Sequence, residues 1–188
     1  MADTRESLLS AASALLADEG PEALTVRRIA AAAGVSTMGV YSRFGGKDGV
    51  VDALFREGFE GLLAAMLESP TTDDPLADLR SCCHAYRDFA VAHATHYRIM
   101  FAGVVPGFEL SDDSKVVAGA TFEALVDRVQ RGVDAGLLGG EPTEIAASLW
   151  AASHGVISLE QFSHKPDVLT GDDPFDRTMA AITRGFRP

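Results

Sequence analysis

Cysteine is almost missing from this chain of 188 residues: there are two, and they are the neighbours Cys82 and Cys83. Adjacent thiols cannot staple distant segments together, so a disulfide framework is excluded and a reducing compartment fits. Long apolar runs are missing as well. The longest stretch without Asp, Glu, Lys or Arg in the C-terminal half is 145–159, fifteen residues, whereas a membrane span needs about 20. The N-terminus lacks the positive start of an export signal, since Asp3 and Glu6 outnumber Arg5 ahead of the apolar run 8–17. These absences predict a cytoplasmic protein. Cations are scarce too: 16 Lys and Arg face 27 Asp and Glu, a net charge of −11. Taken alone, that balance argues against nucleic acid, because phosphate binding needs positive charge.

The distribution of charge points the other way. Apolar residues make up 47% and charged residues 23%, close to a globular average, so intrinsic disorder is a poor reading. The acidity is unevenly spread. Residues 1–50 hold five basic groups against six acids, and residues 51–188 hold eleven against twenty-one. Within 23–47 stand Arg27, Arg28, Arg43 and Lys47 with no acid among them, a basic island on an acidic protein.

Apolar residues recur at spacings of three and four almost throughout, and no strand-like alternation bounded by hairpin turns occurs, which predicts an all-α fold of about nine helices. The first runs over 4–19 and stops at Gly20-Pro21. Thr25 caps a short second helix with Val26, Ile29, Ala30 and Ala33 on one face. Gly34 breaks it, and Ser36 caps a third that ends at Gly45-Gly46. Val40 and Phe44 point inward there, leaving Met38, Tyr41 and Ser42 outward and Thr37 at the border. A fourth helix spans 47–67, and the Pro-, Thr- and Asp-rich run 69–75 separates it from a fifth over 76–90. A sixth covers 96–102, before a loop over 103–113. A seventh carries Ala118, Phe122, Leu125, Val129 and Val133, and an eighth, from near Pro142, has two apolar rows that predict burial on two sides. A polar loop over 163–173 leads to a ninth helix over 175–186.

Helices two and three, joined at Gly34, make a helix-turn-helix, and the basic island falls on it. In such a unit the second helix enters the major groove while flanking cations and helix N-termini hold the phosphates. Residues 24–47, Leu-Thr-Val-Arg-Arg-Ile-Ala-Ala-Ala-Ala-Gly-Val-Ser-Thr-Met-Gly-Val-Tyr-Ser-Arg-Phe-Gly-Gly-Lys, resemble the DNA-binding signature of TetR-type transcriptional repressors. His96-Tyr97-Arg98-Ile99-Met100-Phe101 and Trp150-Ala-Ala-Ser-His154-Gly155 are similar to the C-terminal regulatory domain of one branch of that family, marked by a Trp-His-Gly motif.

The resemblance implies an N-terminal helix-turn-helix DNA-binding domain over 1–46 and a ligand-binding and dimerisation domain over 47–188, with helix four as connector. It makes Tyr41 and Lys47 phosphate contacts, with Thr25 and Ser36 near the backbone, and sends Arg27 to guanine. Thr37, Met38 and Gly39 are the remaining base-facing candidates. Arg28, Ser42 and Arg43 complete the DNA-facing set, Arg43 where the family more often has His or another aromatic. Gly46 replaces the usual Ser or Thr ahead of Lys47. Tyr97, Met100, Phe101, Phe122, Trp150 and His154 are the candidate effector wall, an apolar set with a few polar handles; a packed Trp150–His154 pair is the plainer alternative.

The expected partners are a double-stranded DNA operator, a small-molecule effector and a second copy held through helices eight and nine; no cofactor, metal or membrane is expected. Two other classes remain open on the residues. One is a helical enzyme or a metal- or redox-sensing protein using Cys82, Cys83 and His84, with His93 and His96 nearby. On a helix, however, Cys82 and His84 diverge by about 100° to either side of Cys83. The other is a helical module that binds a protein partner.

Overall fold

The structure is a computed structural model that describes residues 4–101, 105, 107–160 and 174–188. Among these every regular element is helical: α1 (Thr4–Glu19), a 3₁₀ turn (Pro21–Ala23), α2 (Val26–Ala32), α3 (Thr37–Phe44), α4 (Lys47–Glu68), α5 (Pro75–Ala92), α6 (Ala94–Phe101), α7 (Asp112–Asp134), α8 (Pro142–Glu160) and α9 (Pro174–Gly185). The expected loop over 163–173 lies outside the described residues. No described helix is long and apolar enough to cross a membrane. By their internal contacts the residues divide into two compact units, Met1–Glu60 with His93–Ala118, and Gly61–Ala92 with Gly119–Pro188.

In the first unit the apolar stripes of α1 to α4 form one core. Leu8, Ala12, Ile29, Val40, Val50 and Leu54 are buried, and each sits at the three- or four-residue spacing that puts it on its helix's inner face. α6 packs on α1 and also runs close to α4: a Cβ at Gly58 would stand 2.7 Å from the Met100 sulfur, so a side chain there would have to displace that of Met100. Asp52 of α4 accepts from the Ser111 backbone N–H at 3.0 Å and its hydroxyl at 2.9 Å. Ser111 in turn accepts from the Ser114 N–H at 3.2 Å, which caps α7. That capping begins α7 at Asp112, several residues ahead of its apolar stripe and inside the expected loop.

In the second unit the run 69–75 is a docked strap rather than a plain separator. Arg128 of α7, largely buried, donates to the Ser69 carbonyl at 3.0 Å and the Pro70 carbonyl at 2.9 Å. Asp78 on α5 is buried and accepts from the Thr72 N–H (2.7 Å), the Thr72 hydroxyl (2.8 Å) and Arg131 (2.6 Å). Burial pushes its carboxyl up, but the Thr72 and Arg131 donors outweigh this and hold it at about 2. α8 and α9 pack together along their length. Ile145, Leu149, Val156, Ile157, Phe175 and Met179 are buried. Arg87 and Glu160 pair through two bonds of 3.1 Å.

The two rows of α8 are not both buried within the chain. Ala146 and Ile157 are, but Trp150 is 40% exposed and Leu159 45% exposed. A 3.6-residue period fixes which residues share a face and is silent on what covers that face.

Candidate nucleic-acid interface

Two caps and two left-handed glycines set this corner of the first unit. Thr25 has extended backbone and its side-chain oxygen accepts the Arg28 N–H at 3.3 Å, which starts α2. Gly34, at φ 68°, reverses the chain in a conformation L side chains rarely adopt. Ser36 repeats the device, accepting the Gly39 N–H at 3.3 Å. Gly45, at φ 72°, closes α3 by donating its N–H to the Tyr41 carbonyl.

One residue decides which way α3 faces. Val40 is wholly buried, so the residues on the opposite side are forced outward: Met38 is 71% exposed and Tyr41 53% exposed, with Thr37, Ser42 and Arg43 also exposed. Gly39 is half-buried, and a Cβ there would make only ordinary contact, 3.6 Å from Val35. No clash inside the chain therefore requires glycine at this position.

The cations are placed differently from one another. Arg27 is exposed. Arg28 is turned back to α1, its guanidinium 2.5 Å from the Glu19 carboxylate. Arg43 lies along its own helix, 3.4 Å from the Gly39 carbonyl. Lys47 opens α4, 4.0 Å from the Asp48 carboxylate. Arg5 of α1 sits over the Phe44 ring, 5.7 Å from its centre, a cation–π contact that helps seat the end of α3. The periodicity places Phe44 inward, and the structure leaves it half-buried beneath that guanidinium. The Glu19 and Arg5 contacts join α1 to the motif across sequence distances that no local spacing rule reaches.

The candidate effector residues fall in both units. In the first, Tyr97 and Met100 are buried and Phe101 is half-buried. The Phe101 ring lies 4.8 Å from Tyr97 and 5.3 Å from Phe59, centre to centre. In the second, Phe122 and Trp150 meet at 5.9 Å, and partial burial pushes the His154 imidazole below its usual value.

Cys82 and Cys83 are both buried free thiols. The expectation that Cys82 diverges from the Cys83 stripe is met by a second covering surface: its face looks toward Ser69 and Arg128. Burial raises both thiols, Cys83 to about 12, which leaves little reactive thiolate. Among the described residues no group of three His, Cys, Asp or Glu is placed to hold a metal ion.

An all-helical chain whose second and third helices form a capped helix-turn-helix, with a polar and cationic face kept out of the core, defines the class of helix-turn-helix DNA-binding proteins. Known sequences agree. The profile of bacterial regulatory proteins of the tetR family matches residues 8–54, and that of the tetracyclin repressor-like C-terminal domain matches residues 79–182. The chain belongs to the TetR family, non-enzymatic DNA-binding regulators of transcription that respond to ligands. No curated protein matches the sequence.

Solved structures share the fold over 96–100% of the chain. A protein with unknown function from Rhodococcus sp. RHA1 has a TM-score of 0.82 at 26% identity, over 100% of this chain and 97% of that one. A bacterial regulatory protein in the tetR family from Rhodococcus RHA1 gives 0.79 at 20% identity, over 100% and 98%. The TetR family transcriptional regulator PfmR from Thermus thermophilus gives 0.72 at 22% identity, over 96% and 99%.

Proposed function

We propose that the protein is a cytoplasmic repressor that binds a palindromic operator as a homodimer and is released by a small-molecule effector, with neither cofactor nor metal. The observation that carries this reading is the outward face of α3, where Met38 and Tyr41 stand in solvent while Val40 between them is buried. A large thioether and a phenol held outward beside cations suit insertion into a major groove. Residues 1–46 form the DNA-binding domain, residues 47–188 the regulatory one, and α4 links them.

Within that reading Tyr41, Lys47, Arg43, Thr25 and Ser36 engage phosphates and fix register, and Arg27, Thr37, Met38 and Gly39 face bases. Ser42 lies beside Tyr41 on the same exposed side. Arg28 reaches phosphate only by leaving Glu19, so it contributes less than its charge suggests. Gly39 lets the backbone approach the base edges closely.

The second copy docks through α8 and α9 as a four-helix interface. Support comes from the apolar side chains of α8 left exposed, Trp150 and Leu159. Two heads then read half-sites with centres about 34 Å apart. Tyr97, Met100, Phe101, Phe122, Trp150 and His154 contribute to effector binding, and the run Trp150-Ala-Ala-Ser-His154-Gly155 supports a place in the branch marked by a Trp-His-Gly motif. An effector shifts the equilibrium between DNA-competent and DNA-incompetent states only by its difference in affinity for the two.

Selection of duplexes from a random pool by the purified chain tests the reading. Enrichment of an inverted repeat, lost together in Arg27→Ala and Tyr41→Ala, is the expected result. Recovery of no duplex at low salt overturns it.

A further inference from the structure

Within the second unit, α5, α8 and α9 line a half-open pocket of about 580 Å³, inside the range of roughly 300–1,000 Å³ usual for small-molecule sites. Its two long walls are single helix faces. α5 offers Leu76, Leu79, Arg80 and Cys83, and α9 with the tail after it offers Asp176, Ala180, Thr183 and Arg187, both at the three- and four-residue spacing of one face. Leu79, Cys83, Leu149 and Met179 are buried and form an apolar floor. The Cys83 thiol, pushed up to about 12 by burial, stays neutral there.

The rim has the opposite character. Four of the lining residues are arginines, at 80, 177, 184 and 187, and one is an acid, Asp176, on a protein whose net charge is −11. That acid is already engaged. Arg80 pairs with it, Nε to Oδ1 at 3.0 Å, and His84 Nε2 lies 2.8 Å from the same oxygen. Arg184 and Arg187 are exposed, and among the described residues neither makes an ion pair. A dry floor under two unneutralised guanidinium forks is complementary to a molecule that is apolar along its length and anionic at one end.

We propose that this pocket binds an amphiphilic anion, an aliphatic chain ending in a carboxylate, with the chain along the Leu79–Leu149–Met179 floor and the carboxylate on Arg184 and Arg187. The site shares no residue with the proposed effector wall. It is independent of the helix-turn-helix reading, because its test contains no DNA.

The test is calorimetric titration of the full chain with decanoate and with uncharged decanol, repeated on Arg184→Gln/Arg187→Gln and on Ala180→Trp. Decanoate is expected to bind once per chain and at least tenfold more tightly than decanol. The double variant weakens decanoate by about tenfold or more, the value of charge-assisted bonds, and leaves decanol unchanged. Ala180→Trp fills the pocket and removes both. The two arginines are exposed, so the double variant is expected to keep its fold and decides the matter even if the tryptophan variant does not fold. Absence of decanoate binding overturns the proposal, as does equal affinity in the wild type and the double variant. Loss of self-association in the double variant without any decanoate binding also overturns it, because the pocket is then a contact between copies.

Discussion

Replacing Val40 by Ala and Met38 by Ala tests the facing of α3 through two properties that change in opposite ways. Val40 is completely buried and Met38 is 71% exposed, two residues apart on one eight-residue helix. Removing two buried carbons costs about 0.8 kcal/mol each in transfer energy, and the space left behind adds to that, so Val40→Ala destabilises by about 2 kcal/mol. For a chain of this length each kcal/mol lowers Tm by about 2–4 °C, giving a drop of about 4–8 °C. Met38→Ala removes a side chain that touches mostly water and changes stability by no more than about 0.5 kcal/mol. For DNA the order reverses: Met38→Ala loses preference at the base it covers, worth about 1–3 kcal/mol, while Val40→Ala weakens all duplexes alike. Circular-dichroism melting and fluorescence anisotropy on a selected duplex and its single-base variants read both properties. Equal Tm losses in the two variants, or an unchanged Tm in Val40→Ala, would refute the assignment of faces.

Five further outcomes follow from the geometry. Ser36→Ala removes the cap of α3 and lowers stability by about 1 kcal/mol, and Gly45→Ala, forced to keep φ 72°, destabilises by a comparable amount, about 1 kcal/mol; both are read by urea midpoint. Asp78, held at about 2 in the fold, lies below its unfolded value of about 3.9; the stability it confers is full above pH about 4 and lost as pH falls toward 2. That pH dependence flattens in Asp78→Asn. Cys82 and Cys83 are expected to ignore a thiol reagent at neutral pH and to react at once in denaturant. If α8 forms the interface between copies, emission from Trp150, the single tryptophan, shifts to the blue as protein concentration rises through the dimer dissociation constant.

The helix-turn-helix was legible in the sequence because everything that builds it is local. Cap-forming Thr25 and Ser36, turn-forming Gly34 and Gly45, and inward Val40 all act within about four residues of where they stand. Charge was legible as composition but not as pairing. Nothing in the spacing of Arg28 or Arg5 announces Glu19 or Phe44 as a partner, yet those contacts decide how much of the basic island stays available. The same limit hid the strap 69–75, which is held by Arg128 and Arg131 from more than fifty residues away, and the pairing of Arg80 with Asp176 beside the α5–α9 pocket. Periodicity likewise gave α8 two apolar rows without saying that Trp150 and Leu159 stay uncovered within one chain.

The most direct test of the account is the slope of log affinity against log salt for the duplex the protein selects, measured for the wild type and for Lys47→Ala. Each phosphate contact contributes about 0.9 to that slope. A steep wild-type slope that falls by about one unit in the variant is the predicted result. An identical slope in both proteins, or no retention of any duplex at low ionic strength, contradicts the claim that α3 and the cations beside it dock on DNA.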